Sequence, residues 1–402
     1  MTIAQVLKNS GYHTYMAGKW HVARSEDTSD MHNWPLQRGF DRFFGTIKGG
    51  GNYFDPNGLL MGNRFVETDK DFYYTDAISR QAAGYLRQYA SNKDDHPFFM
   101  YVAFTAPHWP LHAPDSSIEK YQGRFDAGWD QLRKSRLSRL REMGIIDAGW
   151  KLSGRDPRIP AWKEAKNKNW HKRRMEVYAA QIDQMDQGIG RIVNTLEEGD
   201  ELDNTLILFL SDNGACAEDQ MFGFDCFQNG EPPGGANSYM SYGRVWANAC
   251  NTPFRKFKRW DHEGGIRTPF IAHWPNGITN PGQVTDQAGH VIDFMATFLD
   301  IAGVAYPETF NAKEIRPLRG KSLLPILQGG QRKGHETLYW EHIGNRAMRS
   351  GDWKLVAAAD GPWELYDMAS DVTELNNLAA SCPERMRALV TAYEAWAKEV
   401  GV

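Results

Sequence analysis

Two uninterrupted apolar runs, Phe98-Phe99-Met100-Tyr101-Val102-Ala103-Phe104 and Leu206-Ile207-Leu208-Phe209-Leu210, limit this chain more than any other feature, because each follows a stretch with helical apolar spacing. A strand with one solvated face alternates apolar and polar residues; a run without alternation belongs inside a parallel sheet covered by helices on both sides. The stripe Tyr178, Ile182, Met185, Ile189, Ile192, Val193 and Leu196, stopped by Gly199, leads into the second run. Tyr73 to Tyr89 leads into the first, with His96-Pro97 as punctuation. Two such units predict a doubly wound, mostly parallel α/β sheet with both runs buried on both faces.

The rest of the chain fits around that sheet. Thr2 and Gln5 match a capping box, so Thr2 to Ser10 reads as a helix closed near Gly11, and His13 to Gly18 as a short strand. Residues from about Cys216 to Asn251 are rich in Gly, Pro, Asn and aromatics without a period, which predicts a long functional loop. Pro269 to Trp274 returns to the sheet and Val291 to Ile301 is an amphipathic helix. From about His335 the pattern changes to short runs around Leu338, Met348, Leu355 and Leu365, then a closing helix from Pro383 to Val400. The chain therefore divides into a large α/β unit over 1–334 and a small antiparallel α+β unit over 335–402.

Composition removes several function classes. The formal net charge of -4 supplies no basic field for nucleic acid. No run approaches the ~20 apolar residues needed to span a bilayer, and residues 1–8 lack the charged start and apolar core of a secretory signal. Four cysteines, Cys216, Cys226, Cys250 and Cys382, form no CxxC pair, which leaves zinc and thioredoxin readings without support. The basic stretches Arg133 to Arg141 and Lys163 to Arg174 read as solvated faces.

Polar clusters follow the strands, where open parallel sheets hold their ligands. Gly18-Lys19-Trp20-His21 follows the first strand, and Ala106-Pro107-His108-Trp109-Pro110-Leu111-His112 follows the Phe98 run. Ser211-Asp212-Asn213-Gly214 ends the Leu206 run with adjacent oxygen donors, a pair suited to a hard cation such as Ca²⁺ or Mg²⁺. Taken alone, that pair is a strand-ending Asx turn, His108 is loop surface, and Lys19 a solvated lysine. A basic loop, Asn251 to Pro269, carries Lys258 and the Gly264-Gly265 pair; alone it is a structural turn. Lys, His, Asp-Asn and Lys on four separate segments make the better case together, because cations converging on one pocket would bind and polarise a tetrahedral oxyanion.

With these segments in order, the chain resembles the sulfatase family of the alkaline phosphatase superfamily. The likeness rests on Gly11-Tyr12-His13-Thr14 to His21, Ala106-Pro107-His108, Tyr178-Ala179-Ala180 to Gly190, Ser211 to Gly214, and His262-Glu263-Gly264-Gly265-Ile266. Arg349 to Leu355, Glu364-Leu365-Tyr366-Asp367 and Asn377-Leu378-Ala379 resemble the family's C-terminal subdomain. The resemblance implies hydrolysis of an aryl or carbohydrate sulfate ester by a hydrated formylglycine beside Ca²⁺. It puts Asp212 and Asn213 on metal-ligand positions, Lys19, His108 and Lys258 on positions holding the sulfate and leaving oxygen, and His21 on the position contacting the formylglycine. The family's Cys-x-Pro-x-Arg motif and paired-Asp strand lie upstream of Gly18 to His21 and are not in this sequence. Cys250-Asn251-Thr252-Pro253-Phe254-Arg255 is one residue too long and Cys382-Pro383-Glu384-Arg385 has its proline too early. The expectation is a sulfatase core without its first segment, inactive as given. Its alternatives are a catalytically dead oxyanion-binding protein and a phosphoester hydrolase of the same superfamily. Secretion to the periplasm or beyond is common in such families.

Overall fold

The computed structural model describes residues 1–402 apart from Arg24, Lys93, Asp94 and Asp219. Helix α1 (Ile3–Asn9) begins on the expected capping box: the Thr2 hydroxyl accepts from the Gln5 N–H, and the Gln5 side chain accepts from the Thr2 N–H. Strand β1 (His13–Lys19) then enters the sheet between two parallel neighbours, β2 (Arg42–Thr46) and β5 (Phe98–Ala103). Beyond β2, the short strands β3 (Leu59–Met61) and β4 (Arg64–Phe65) add antiparallel, giving the order β4-β3-β2-β1-β5. Successive strand residues point to opposite faces, and the core follows that alternation. Met16 and Phe43 pack with Ala4 of α1, whereas Ala17 and Phe44 pack with Ile78 and Ala82 of α2 (Tyr74–Asn92). Helices thus cover both faces, as the doubly wound reading requires.

The long stripe is α5 (Lys168–Glu198), closed at Gly199 and packed along α2; it leads to β6 (Ile207–Leu210). Strand β7 (Phe270–His273) pairs with β6 antiparallel, and the two form their own ladder. Here the expectation of strands buried on both faces fails. Every residue of β5 and β6 is only partly buried, and Tyr101 is 47% exposed. Among the described residues β5 pairs only with β1, and β6 only with β7. A continuous apolar run therefore does not by itself report burial on both faces.

Two further expectations need correction. The aperiodic 216–251 segment ends in α6 (Gly243–Cys250), whose Val245, Trp246 and Ala249 enter a cluster with Trp129 of α4 (Gly128–Glu142). The basic stretches are not uniformly solvated: Arg133 is 4% and Arg174 2% exposed. Arg133 donates to the Ser153 carbonyl and hydroxyl, and Arg174 to the carbonyls of Phe222 and Phe224. Guanidinium donors satisfied by carbonyls can be buried where an unpaired cation could not. Short helices α3 (Asp115–Glu119), packed on α5, and α7 (Glu263–Ile266), just before β7, complete this unit's connections. Helix α8 (Asp293–Ala302) packs on α1, the β8–β9 hairpin (Thr309–Phe310, Lys313–Glu314) follows it, and α9 (Leu324–Leu327) leads to the C-terminal sheet.

That sheet is the expected antiparallel meander, β10 (Thr337–His342), β11 (Asn345–Ser350), β12 (Trp353–Ala357) and β13 (Glu364–Asp367), in sequential order. Helix α10 (Pro383–Val400) lays Tyr393 against Met348 and Leu355.

Candidate active site

The carboxyl end of β1 is shaped by Gly18, whose φ is +118°. A Cβ there would lie 2.0 Å from the Ala103 carbonyl oxygen, so glycine alone lets β1 and β5 stay paired at this point. Past Lys19 the backbone keeps donating to the β2 side, Trp20 to Thr46 and His21 to Ile47, each at 2.9 Å. This fixes Lys19 and His21, two residues apart, at one end of the sheet. His21 takes a left-handed backbone (φ +55°), and its ring lies against Gly49, where a Cβ would come within 2.4 Å of it.

Beyond β5 a turn closed by His108 N–H to Thr105 O (2.9 Å) points His108 into the same region. Its Nδ1 lies 2.8 Å from the Trp109 carbonyl and its Nε2 3.3 Å from the Lys258 Nζ. With a carbonyl facing Nδ1 and an ammonium facing Nε2, the partners assign the Nδ1–H tautomer. Lys258 is held from two directions: its N–H donates to Ala215 O at 3.1 Å and its ammonium pairs with Glu218 at 3.0 Å. The other Glu218 oxygen accepts the Trp109 indole N–H at 3.0 Å.

These groups act on one another's charge. Burial lowers the Lys19 pKa, and Asp212, Lys258, Glu218 and Cys216 all act on it. Burial also lowers that of His21, with Lys19 and Lys258 adding to the effect. His108 is pushed down to about 4, first by burial and further by Lys258 and Lys19, against the opposing Trp109 hydrogen bond. In the ligand-free protein His108 is therefore a neutral imidazole at neutral pH, chiefly because it is buried and further because the Lys258 and Lys19 ammonium groups stand beside it.

Asp212 and Asn213 stand at the β6 end in a turn closed by the Ser211 hydroxyl donating to Asn213 O (2.9 Å). The Asp212 carboxylate makes no hydrogen bond or ion pair with another described residue, so its oxygens are free for a hard cation. The Asn213 amide nitrogen donates to Gly214 O at 2.8 Å, which leaves its Oδ1 available as a metal ligand. These two residues suit part of a Ca²⁺ or Mg²⁺ shell. A second group, His108, Cys216 and Glu218, has ligand atoms within 4.8 Å of one another and could hold a metal ion. Its thiol and imidazole suit zinc better than Ca²⁺. Moreover, burial raises the Cys216 thiol to about 11, and the Lys258 ammonium already neutralises Glu218.

Sequence reasoning missed Glu218 and Trp109 as parts of the pocket. The signal for Glu218 was its place four residues past Asn213-Gly214, on the chain leaving the same strand end. Gly214, where a Cβ would lie 1.9 Å from the Gly264 carbonyl oxygen, explains why that chain and the basic loop can touch.

Comparison with known proteins decides the family. The sulfatase family model matches residues 1–304. The chain belongs to the sulfatase family. By family it is a sulfuric ester hydrolase. A second model, N-sulphoglucosamine sulphohydrolase, C-terminal, matches residues 254–393 and so begins at the basic loop. An uncharacterized sulfatase of Schizosaccharomyces pombe is 32% identical, with 100% of this chain and 77% of the relative covered. An arylsulfatase of Klebsiella aerogenes is also 32% identical, over 81% of this chain and 72% of its own length. The N-acetylglucosamine-6-O-sulfatase of Bacteroides thetaiotaomicron is 27% identical, covering 94% and 68%. Among solved structures, Ps i-CgsB shares the fold with a TM-score of 0.70 at 23% identity, over 98% of this chain and 73% of that one. A protein solved with its substrate D-glucosamine-2-N,6-O-disulfate gives 0.59 at 22%, over 99% and 82%.

Proposed function

We propose that this sulfatase takes an aryl or carbohydrate sulfate ester, cleaved only where a nucleophile is supplied beside His21, and that Lys19, His108 and Lys258 cradle the sulfate. The carrying observation is the His108–Lys258 contact of 3.3 Å, which joins a strand end to a loop 150 residues away. Preorganised donors at such a point stabilise charge that develops on an oxyanion. The Lys258 ammonium donates toward the leaving oxygen. The Nε2 lone pair of His108 orients that ammonium in the free pocket and takes up a proton once a sulfate adds negative charge. Lys19 balances a further sulfate oxygen, and Glu218 with Trp109 keeps Lys258 from turning out to solvent.

The divalent metal that sulfatases generally bind would be held here by Asp212 and Asn213; Ca²⁺ is the ion we propose. When bound, it supplies positive charge against the sulfate oxygens. For a formylglycine the residues do not fit: none of the four cysteines lies in Cys-x-Pro-x-Arg. We accordingly propose that these 402 residues bind sulfate esters without turnover. The boundary at residues 334 and 335, with the catalytic α/β unit before it, is part of the same reading. The homologous named substrates, an aryl sulfate class and N-acetylglucosamine-6-sulfate, support the substrate class. No helix of the described residues is long and apolar enough to cross a membrane.

The test expresses the chain alone and joined to an upstream segment carrying Cys-x-Pro-x-Arg, then measures aryl sulfate and aryl phosphate hydrolysis. Sulfate turnover by the extended form only is the expected result. Turnover by the chain alone overturns the inactivity; preference for phosphate favours a phosphoester hydrolase; inactivity of both favours an oxyanion-binding protein.

A further inference from the structure

The loop that carries Lys258 is under backbone strain on both sides of that residue. Lys256 has φ +63° and Arg259 φ +90°, left-handed values that side-chain-bearing residues rarely hold without support. On the sheet side the loop is tied by Gly214 N–H to Gly265 O and Ala215 N–H to Asn251 Oδ1, each 2.9 Å. Its outer side meets the C-terminal sheet through a buried ionic network. Lys354 of β12, 0% exposed, pairs with Glu263 of α7 at 2.6 Å and with Glu374 at 2.8 Å. Glu374 accepts the Glu263 N–H at 3.1 Å, and its own φ is +57°. Beside it Arg255 donates to Glu364 Oε2 (3.0 Å), the Tyr366 hydroxyl (2.6 Å) and Glu374 O (2.9 Å).

The buried part of this network is a poor stabiliser in itself, since desolvating Lys354 with the Glu263 and Glu374 carboxylates costs about what their attraction returns. What it does supply is a fixed geometry: Arg255 and Glu263 bracket Lys258, three residues before it and five after, and both are anchored to the C-terminal sheet. We propose that Lys354, with Glu263 and Glu374, is a positioning group for Lys258, so that the C-terminal sheet sets the geometry of the sulfate pocket. Burial alone would lower the Lys354 pKa, but Glu263 and Glu374 outweigh it and raise it, so the ammonium stays charged. The inference rests on reading Lys258 as a sulfate contact.

Two variants test it in the 402-residue chain. Lys354→Met removes the tie but strands two buried carboxylates and unfolds part of the population. Lys354→Met/Glu263→Gln/Glu374→Gln removes the tie and the charges together, and so keeps the fold. Two readouts are taken on folded protein: the affinity for inorganic sulfate by calorimetry, and the pKa of His108 by NMR, assigned with His108→Gln. In the parent, burial first and then Lys258 and Lys19 push the His108 pKa down to about 4. The triple variant is expected to bind sulfate about tenfold to a hundredfold more weakly, the worth of one charged hydrogen bond, and to titrate His108 closer to an ordinary histidine. A folded triple variant with the parent's affinity and the parent's His108 titration overturns the proposal. If the parent binds no sulfate, the functional reading fails instead, and a crystal structure of the triple variant decides the positioning: a Lys258 Nζ still 3.3 Å from His108 Nε2, as in the parent, overturns it.

Discussion

Lys258 and His108 divide the work of one contact, and their separate variants should show it. In a form that turns over, Lys258→Ala is expected to lower kcat by about 10²–10³, the usual cost of losing a preorganised oxyanion donor. Lys163→Ala, at a side chain 83% exposed, should stay within about twofold. Assays of both at saturating substrate check this. Because His108 is neutral when the pocket is empty, an anion that makes it basic must bind with proton uptake. Sulfate affinity should therefore rise as pH falls from 7 toward 4, and calorimetry in buffers of different ionisation enthalpy should show protons entering. Affinity independent of pH in that window would mean His108 does not face the anion. The residue types at this site were legible from sequence, since Lys19, His21, His108 and Lys258 all follow strands or the basic loop. Their protonation was not, because the His108 pKa depends first on its burial and then on how close two ammonium groups come from distant segments.

At the scale of elements, the capping box of α1, the stripe of α5 and the four C-terminal strands were legible because each is a local pattern. The β6–β7 antiparallel ladder was not, since apolar runs carry no direction, and α6 was hidden inside a segment whose Gly and Pro content masks its eight helical residues. Buried Arg133 and Arg174 escaped as well, for their partners are carbonyls 20 and about 50 residues away. The loop of Lys258 has its own weak point in Asp261, 4% exposed, with Oδ2 unpartnered. Burial lifts its pKa to about 7, partly offset by Lys354. A carboxyl raised above its unfolded value keeps its stabilisation at low pH and loses it as pH rises through about 7. Asp261→Asn should thus raise the melting temperature at pH 9 and do little at pH 5; an equal effect at both values would show that burial does not govern this group.

Across the whole molecule, three histidines bound the acid side. His108, His112 and His171 are each held near 4, mainly by burial. The unfolded chain takes protons near 6.5 and the folded one does not, so stability should fall as pH drops from 6.5 toward 4, by about 1.4 kcal/mol per pH unit for each histidine involved. Urea unfolding at pH 7, 6 and 5 should show it; a constant midpoint would contradict the buried-neutral assignment. With Asp261 acting on the other side, greatest stability lies between these limits. The central claim, that strand ends from one sheet and a loop anchored on another build a single sulfate pocket, has a direct measurement. Calorimetric titration of the 402-residue chain with an aryl sulfate, beside Lys258→Ala and Lys163→Ala, should give saturable binding in the parent and Lys163→Ala. In Lys258→Ala it should be weaker by about tenfold or more, the loss of one charged hydrogen bond. Equal affinity in all three proteins would contradict the pocket.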